Sequence, residues 1–362
     1  MTAHPSTPTT AEADLLAAAS KTGVALPTLS LPTRRTPGWK YADLRKALSG
    51  HLQAVPATIE IQGIETQGQA TVEPQAIALE PEATDLARLH AALAQVEQRI
   101  EIEGEQELSL TFAAPDDQQV ACGQVRVRIA PGANLRIRER YQGDSDSFLA
   151  TQVIYELGEG ARLERVIDDR LDGVVLWARV QFALGAKAAT ESFGRMTGSR
   201  LARHDWRVDH RAAGSFARFH GALDLAGSQH ANIRLQVHHH VAGCETQELF
   251  KTTANDRGHA AFEGCVHVAP GAVQTVAEQA HHGLLLSENA EINALPELEI
   301  FADDVICAHG ATCGALDEQA LFYAQARGIP EAEARTMLTA AFLSEPFDEA
   351  PPWIRQHFGF EA

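Results

Sequence analysis

A chain of 362 residues, 45% hydrophobic and 22% charged, has room for one large domain or two to three smaller ones and ample apolar surface for a core. Its 48 acidic against 30 basic side chains, a formal net charge of −18, repel polyanions and so argue against nucleic acid and acidic membranes as partners. No run reaches the ~18 consecutive apolar residues of a membrane helix. Met1–Thr10 lacks the basic and apolar regions of a signal peptide, and the five cysteines (Cys122, Cys244, Cys265, Cys307, Cys313) form neither a CxxC pair nor an even disulfide set, so a reducing cytoplasm is the expected home.

The first hundred residues read as loosely helical. Thr9 and Glu12 have capping-box spacing, the stretch to Thr22 is rich in Ala and Leu, and Gly23 can supply a left-handed stop. After a Pro-bearing linker come Trp39, Lys40 and Tyr41. Tyr41, Leu44 and Leu48 share a helical face, and Gly50 closes that segment. Leu86, Leu89, Leu93 and Val96 recur at steps of three and four, the spacing of an amphipathic helix.

From about Glu105 the period changes to two. The stretches 124–129, 134–138, 232–237 and 261–268 alternate as strands with one buried face do. Small-residue corners separate many of them: 131–133, 160–161, 185–186, 213–215, 270–272 and 289–290. Two-residue Asn-Gly or Asp-Gly hairpin turns are absent, and no amphipathic helix intervenes between Glu105 and His309. The pattern predicts a β-solenoid, with a jelly roll or other sandwich as the alternative.

The last fifty residues turn helical again. Asp317 can cap a helix through Leu321, Phe322 and Tyr323 to Arg327, which Gly328 ends. Pro330 opens a second helix with Ala334, Leu338, Ala341 and Phe342 on one face, and a short final segment places Ile354 and Phe358 one turn apart. The expected division is a mainly helical region with a polar tail over 1–104, a β-solenoid core over 105–312 and a helical region over 313–362.

Cys307 and His309 are the sharpest local feature. On a strand they point to one face, and thiolate with imidazole suits iron, copper or zinc, although two ligands do not complete a site. Cys265 and His267 have the same spacing but lie in a patterned strand where a small thiol fills the core. Of His238, His239 and His240 only the first and third share a face, and no carboxylate or cysteine is expected next to them on that face, so solvent-facing or stacked polar histidines are the simpler account; His281 and His282 are read with the same caution. The pairs Asp168–Asp169 and Asp303–Asp304 point to opposite faces of a strand. No nucleophile elbow, P-loop, dinucleotide fingerprint or zinc-protease motif is present, so nothing supports nucleophilic catalysis.

The segment from Lys251 to Phe342 resembles the SufB/SufD family. The matching residues, in order, are Gly258; 262–264; Val268; Ala272; Gln279; 284–287; 296–300; 302–305; Cys307 to Thr312; 321–323; and 327–329. Upstream, Trp39, Lys40 and Tyr41 resemble the N-terminal signature of the SufD branch. SufB-like proteins carry Cys after the glutamine matching Gln279 and Glu after the histidine matching His309. Here Ala280 and Gly310 stand in those places, so the main SufB ligands are missing.

The resemblance implies a right-handed parallel β-helix flanked by helical regions, in a cytosolic complex with a SufB-like subunit and a SufC-like ATPase. It further implies a scaffold subunit and not an enzyme, with ATP hydrolysis on the SufC partner. His309 and Cys307 are the implied ligands of a transient iron or iron–sulfur cluster facing SufB; none is held by the isolated chain. Leu321, Phe322, Tyr323, Arg327, Leu338 and Phe342 are implied to contact SufC. A homodimer of the isolated chain, the cluster type, the sulfur and electron donors, and any part for Cys265 or Cys313 are left open.

Overall fold

The computed structural model describes residues 8–22, 26, 29–48, 50–64, 68–77 and 84–360. Helix α1 (Thr10–Ser20) starts at the predicted capping box, in which Thr9 accepts from the Glu12 amide and Glu12 accepts from the Thr9 amide at 2.7 Å. The second Glu12 oxygen accepts from the Leu31 amide at 2.8 Å, tying the following loop back onto the helix. Gly23 lies outside the described residues. Helix α2 (Leu44–Ala47) is a single turn capped by Asp43, and Gly50 beyond it has the left-handed φ of 96°.

Strands β1 (Gln53–Pro56), β2 (Thr58–Ile64) and β3 (Gly68–Ala76) follow, then α3 (Asp85–Ala94) and the long β4 (Val96–Ala113). Three strands thus stand inside the stretch that reads as loosely helical. Val96, the expected last apolar position of the helix, is 46% exposed and opens β4 instead. Strands β2 and β3 pair antiparallel with β4 and cover what would be the bare edge of the first coil. At Gly104 (φ 69°) β4 turns from one sheet into the other: 97–102 pair with the next strand and 105–113 with the one after.

The rest of the core is β5 (Gln119–Ile129), β6 (Asn134–Asp144), β7 (Phe148–Leu157), β8 (Arg162–Asp172), β9 (Val175–Leu184), β10 (Ala189–Met196) and β11 (Leu201–His210). It continues through β12 (Phe216–Leu225), β13 (His230–His239), β14 (Glu245–Ala254), β15 (His259–Val268), β16 (Val276–Leu285), β17 (Glu291–Ile300) and β18 (Ile306–Gly314). Each strand pairs in parallel with the strand two places on: Val120 lies beside Phe148, Phe148 beside Val175, and Val175 beside Leu201. The chain therefore winds as a β-solenoid of about eight turns, as its period-two stretches predict. Inward side chains of both sheets meet in one continuous apolar core, from Ile100 and Leu110 to Val268 and Ala277. A fully buried ion pair, Arg165 with Glu139 (2.7 and 2.8 Å), sits within it, the carboxylate also accepting from Tyr155 at 3.0 Å and from Tyr141.

Glycines make the corners. Gly132 and Gly160 have φ of 73° and 67°, and the Gly132 amide donates to Glu159 of the next coil at 2.8 Å, so corners stack as strands do. Helices α1, α2 and α3 cover the outer face of β5, β7 and β9 through Leu15, Leu44 and Leu89 against Phe148 and Trp177. The chain ends in α4 (Glu318–Ala326), α5 (Glu331–Ser344) and α6 (Pro352–His357). Leu343, Phe347 and Ile354 of this segment pack on Val166, Phe193 and Ala222 of the other sheet. Ala341, read as part of the buried face of α5, is exposed; Ala334 and Leu343 are the buried positions. Among the described residues no helix is long and apolar enough to cross a membrane.

Candidate functional site

The solenoid ends on open strands. Among the described residues β17 pairs only with β15 and β18 only with β16, so the backbone groups of the last coil have no strand beyond them. Parallel register carries each inward row of side chains to this end. Phe219 stands beside Glu248, Glu248 beside Gln279, and Gln279 beside His309; the adjoining row brings Ala277 to Cys307. Cys307 and His309 thus share the inward-facing side of the last strand, as their one-residue spacing predicts. His309 is exposed, and Cys307 is half-buried against the end of the core. Burial pushes the Cys307 thiol up, opposed by a backbone hydrogen bond to Ala277.

The row beneath His309 is polar and buried. Gln279 donates to Glu248 at 2.7 Å, while the other Glu248 oxygen and the Gln279 oxygen find no partner among the described residues. Gln279 lies against Gly264 of β15, where an added Cβ would fall 2.1 Å from its amide nitrogen, so a larger residue there would displace the Gln279 amide from Glu248. Burial pushes the Glu248 carboxyl up to about 8, which leaves it protonated at neutral pH.

Cys313 shares the inward side of β18 but lies four residues from His309, about 13 Å along a strand, beyond reach of one ion bound by both. Cys265 faces out of β15 and not into the core, contrary to its reading as a core-filling thiol. It stands beside Glu297, and its neighbour His267 is bonded to Glu299 at 3.0 Å. Burial, then the nearby Glu299, pushes the Cys265 thiol up to about 11.

The histidines divide by face. His238 and His240 point outward and stack at 5.9 Å, as alternation predicts. A carboxylate does reach them, however: Asp209 of the preceding coil lies 3.0 Å from His240, a neighbour invisible along the chain. His239 points inward and stacks on His210 at 4.3 Å beside the buried Cys244, a grouping that local spacing missed. His281 is buried and bonded to Thr252 at 3.0 Å, whereas His282 faces outward to Thr312. Asp169 turns inward to His204 at 2.8 Å, and Asp168 turns outward to Arg170. The two carboxylates do not converge.

At the C-terminus, α4 presents Phe322 (70% exposed), Tyr323 (61%) and Arg327. The Arg327 guanidinium donates to the Tyr323 hydroxyl at 2.7 Å, and no residue of α4 is buried. Leu321 and Leu338 are partly covered. Phe342 is occupied within the chain, with the Lys251 ammonium 4.4 Å from its ring, and Lys251 also pairs with Glu345.

The family model described as "SUF system FeS cluster assembly, SufBD core domain" matches residues 112–342. The chain is similar to iron–sulfur cluster assembly protein SufD of Escherichia coli, 28% identical over 222 residues, covering 60% of this chain and 52% of that protein. It is similar to a SufBD family protein of Synechocystis, 34% identical over 200 residues (54% of this chain, 43% of that protein). It is also similar to the chloroplastic protein ABCI7 of Arabidopsis thaliana, 32% identical over 242 residues (63% and 49%). The chain spans about half the length of these relatives.

Proposed function

Because this chain belongs to the SufBD family of the SUF iron–sulfur cluster assembly system, we propose that it is a SufD-like scaffold subunit whose open solenoid end meets a SufB-like partner and supplies His309 to a transient iron or cluster site between them. The observation that carries this reading is the coincidence of the open outer edges of the last two strands with the thiol–imidazole pair on the inward side of β18. Edge strands with free backbone groups favour pairing with another strand end, and two donors of borderline softness leave coordination positions for a partner's ligands. Cys307 is the second donor, its raised pKa making it the weaker ligand until a cation displaces its proton. The iron or cluster is cargo of the complex. ATP hydrolysis belongs to a SufC-like subunit, for which the exposed face of α4 is the docking surface.

The test is iron and acid-labile sulfide content of the complex co-expressed with SufB-like and SufC-like partners and purified anaerobically, wild type against His309→Ala. An intact complex with iron and sulfide reduced severalfold or more is the expected result. Unchanged iron and sulfide in an intact complex would remove His309 from the site and leave the chain as a structural partner.

A further inference from the structure

Stacking of the coils gathers three ligating side chains at one corner of the solenoid. His210 ends β11, His239 ends β13, and Cys244 stands just before β14; all three are 1% exposed or less. Their ligating atoms lie within 4.8 Å of one another. The two imidazole rings are stacked, with centroids 4.3 Å apart and planes 9° from parallel.

Two hydroxyls hold the group in place. Ser215 bonds to His210 Nδ1 at 2.8 Å and to the Cys244 sulfur at 3.3 Å. Thr246 bonds to His210 Nε2 at 2.9 Å and to His239 Nε2 at 3.1 Å. One atom is left over: His239 Nδ1 is buried with no hydrogen-bond partner among the described residues. A buried ring nitrogen without a partner is costly, and its place beside a thiol and a second imidazole points to a ligand.

We propose that His210, His239 and Cys244 bind one borderline or soft divalent transition cation, resident in the fold and separate from the site at the open end. Two imidazoles and one thiolate suit zinc-like ions, leaving a fourth position for a hydroxyl or water. Metal–ligand bonds of about 2.0–2.3 Å place tetrahedral ligand atoms roughly 3.3–3.8 Å apart, so the site forms by contraction of about 1 Å together with rotation of one imidazole out of the stack, because each ring binds a metal in its own plane. As the metal–sulfur bond forms, the thiol releases one proton to solvent and no electron moves. Burial, the largest influence on both rings, favours neutral His210 and His239; His239 then has Nδ1 open, and His210 exchanges one of its two hydroxyl hydrogen bonds for the metal. Ser215 and Thr246 become the outer hydroxyls that orient the ligands. The other close pair, His230 with His259, also has centroids 4.3 Å apart, but its rings are tilted by 52° and His259 leans toward Glu291. That pair carries no thiol and no such assignment.

Cobalt(II) added to the full chain after chelator treatment is the probe. The expected result is a thiolate-to-cobalt band in the near ultraviolet with tetrahedral visible bands, saturating at one equivalent. Cys244→Ser and His239→Gln should each weaken binding by tenfold or more, with unchanged far-ultraviolet circular dichroism. The triple variant Cys265→Ser, Cys307→Ser, Cys313→Ser should keep the band. Absence of the band from the wild-type chain, its persistence in Cys244→Ser, or its loss in the triple variant would each overturn the proposal. Should Cys244→Ser fail to fold, His239→Gln and the triple variant decide the matter alone.

Discussion

Glu248 has a carboxyl that burial pushes up to about 8, held by a single hydrogen bond from Gln279. The folded chain keeps a proton that the unfolded chain, titrating near 4.5, has already lost. Its stability is untouched below that unfolded value, falls as pH rises from there to about 8, and levels off above. The ceiling on this loss is on the order of 5 kcal/mol. Glu248→Gln keeps an acceptor for Gln279 and removes the ionisation, so it should raise the urea midpoint at pH 8.5 and leave it nearly unchanged at pH 5. Equal wild-type and variant midpoints at pH 8.5 would show that Glu248 is not held protonated. The same row explains two motif residues physically. Gly264 and Gln279 belong together because the glutamine amide occupies the space a Cβ at 264 would take. From the sequence they are fifteen residues apart and unrelated; only the stacking of β15 and β16 joins them.

Among the terminal helices, α5 is pinned and α4 is not. Lys251 holds α5 through Glu345 and the Phe342 ring, and the segment beyond it fills the outer face of β12 with Phe347. Helix α4 buries none of its residues, yet carries two aromatic side chains more than 60% exposed. Substitution of such exposed side chains changes stability by about 0.5 kcal/mol or less. The pair Phe322→Asp, Tyr323→Ser should therefore melt as the wild type does while weakening affinity for a SufC-like ATPase at least tenfold in calorimetric titration. Undiminished affinity would move the docking surface elsewhere. Both helices were legible from their caps, Asp317 and Pro330, and from Gly328 between them. Strands β1 to β3 were not, since they are short and take their partners from later in the chain, β5 for β1 and β4 for β2 and β3.

Across the whole molecule, four largely buried histidines set the acid limit. Burial lowers His220, His239 and His281 to about 4 and His230 to about 3. These groups are neutral in the fold, and the unfolded chain takes up protons first as pH falls below about 6.5. Their contribution is thus intact above 6.5 and lost as pH falls through about 4. Each amounts to about 3–5 kcal/mol at most, so together they are comparable with a typical domain's entire stability of about 5–15 kcal/mol. With the opposite slope from Glu248, thermal midpoints measured from pH 4.5 to 8.5 should peak at about pH 6–7 and drop steeply on the acid side. A midpoint that is flat between pH 6.5 and 4.5 would show that these imidazoles are protonated in the fold.

Local order was written in the chain itself. Alternation in stretches such as 124–129 and 232–237 is a property of neighbours two residues apart, and it settled which side chains share a face, Cys307 with His309 among them. Capping boxes, prolines and corner glycines act over three or four residues and fixed the helix starts and most turns. What the sequence left undecided is every contact between coils. Lateral partners sit 28 residues apart for Arg128 and Glu156 but 29 for Arg218 and Gln247, and corners of unequal length blur any repeat. That spacing decides that Asp209 meets His240, that Glu248 lies beneath Gln279 and His309, and that His210, His239 and Cys244 converge. Such neighbours exist only once parallel strands stack at the fixed distance their backbone hydrogen bonds impose, so the tertiary structure alone could bring them together.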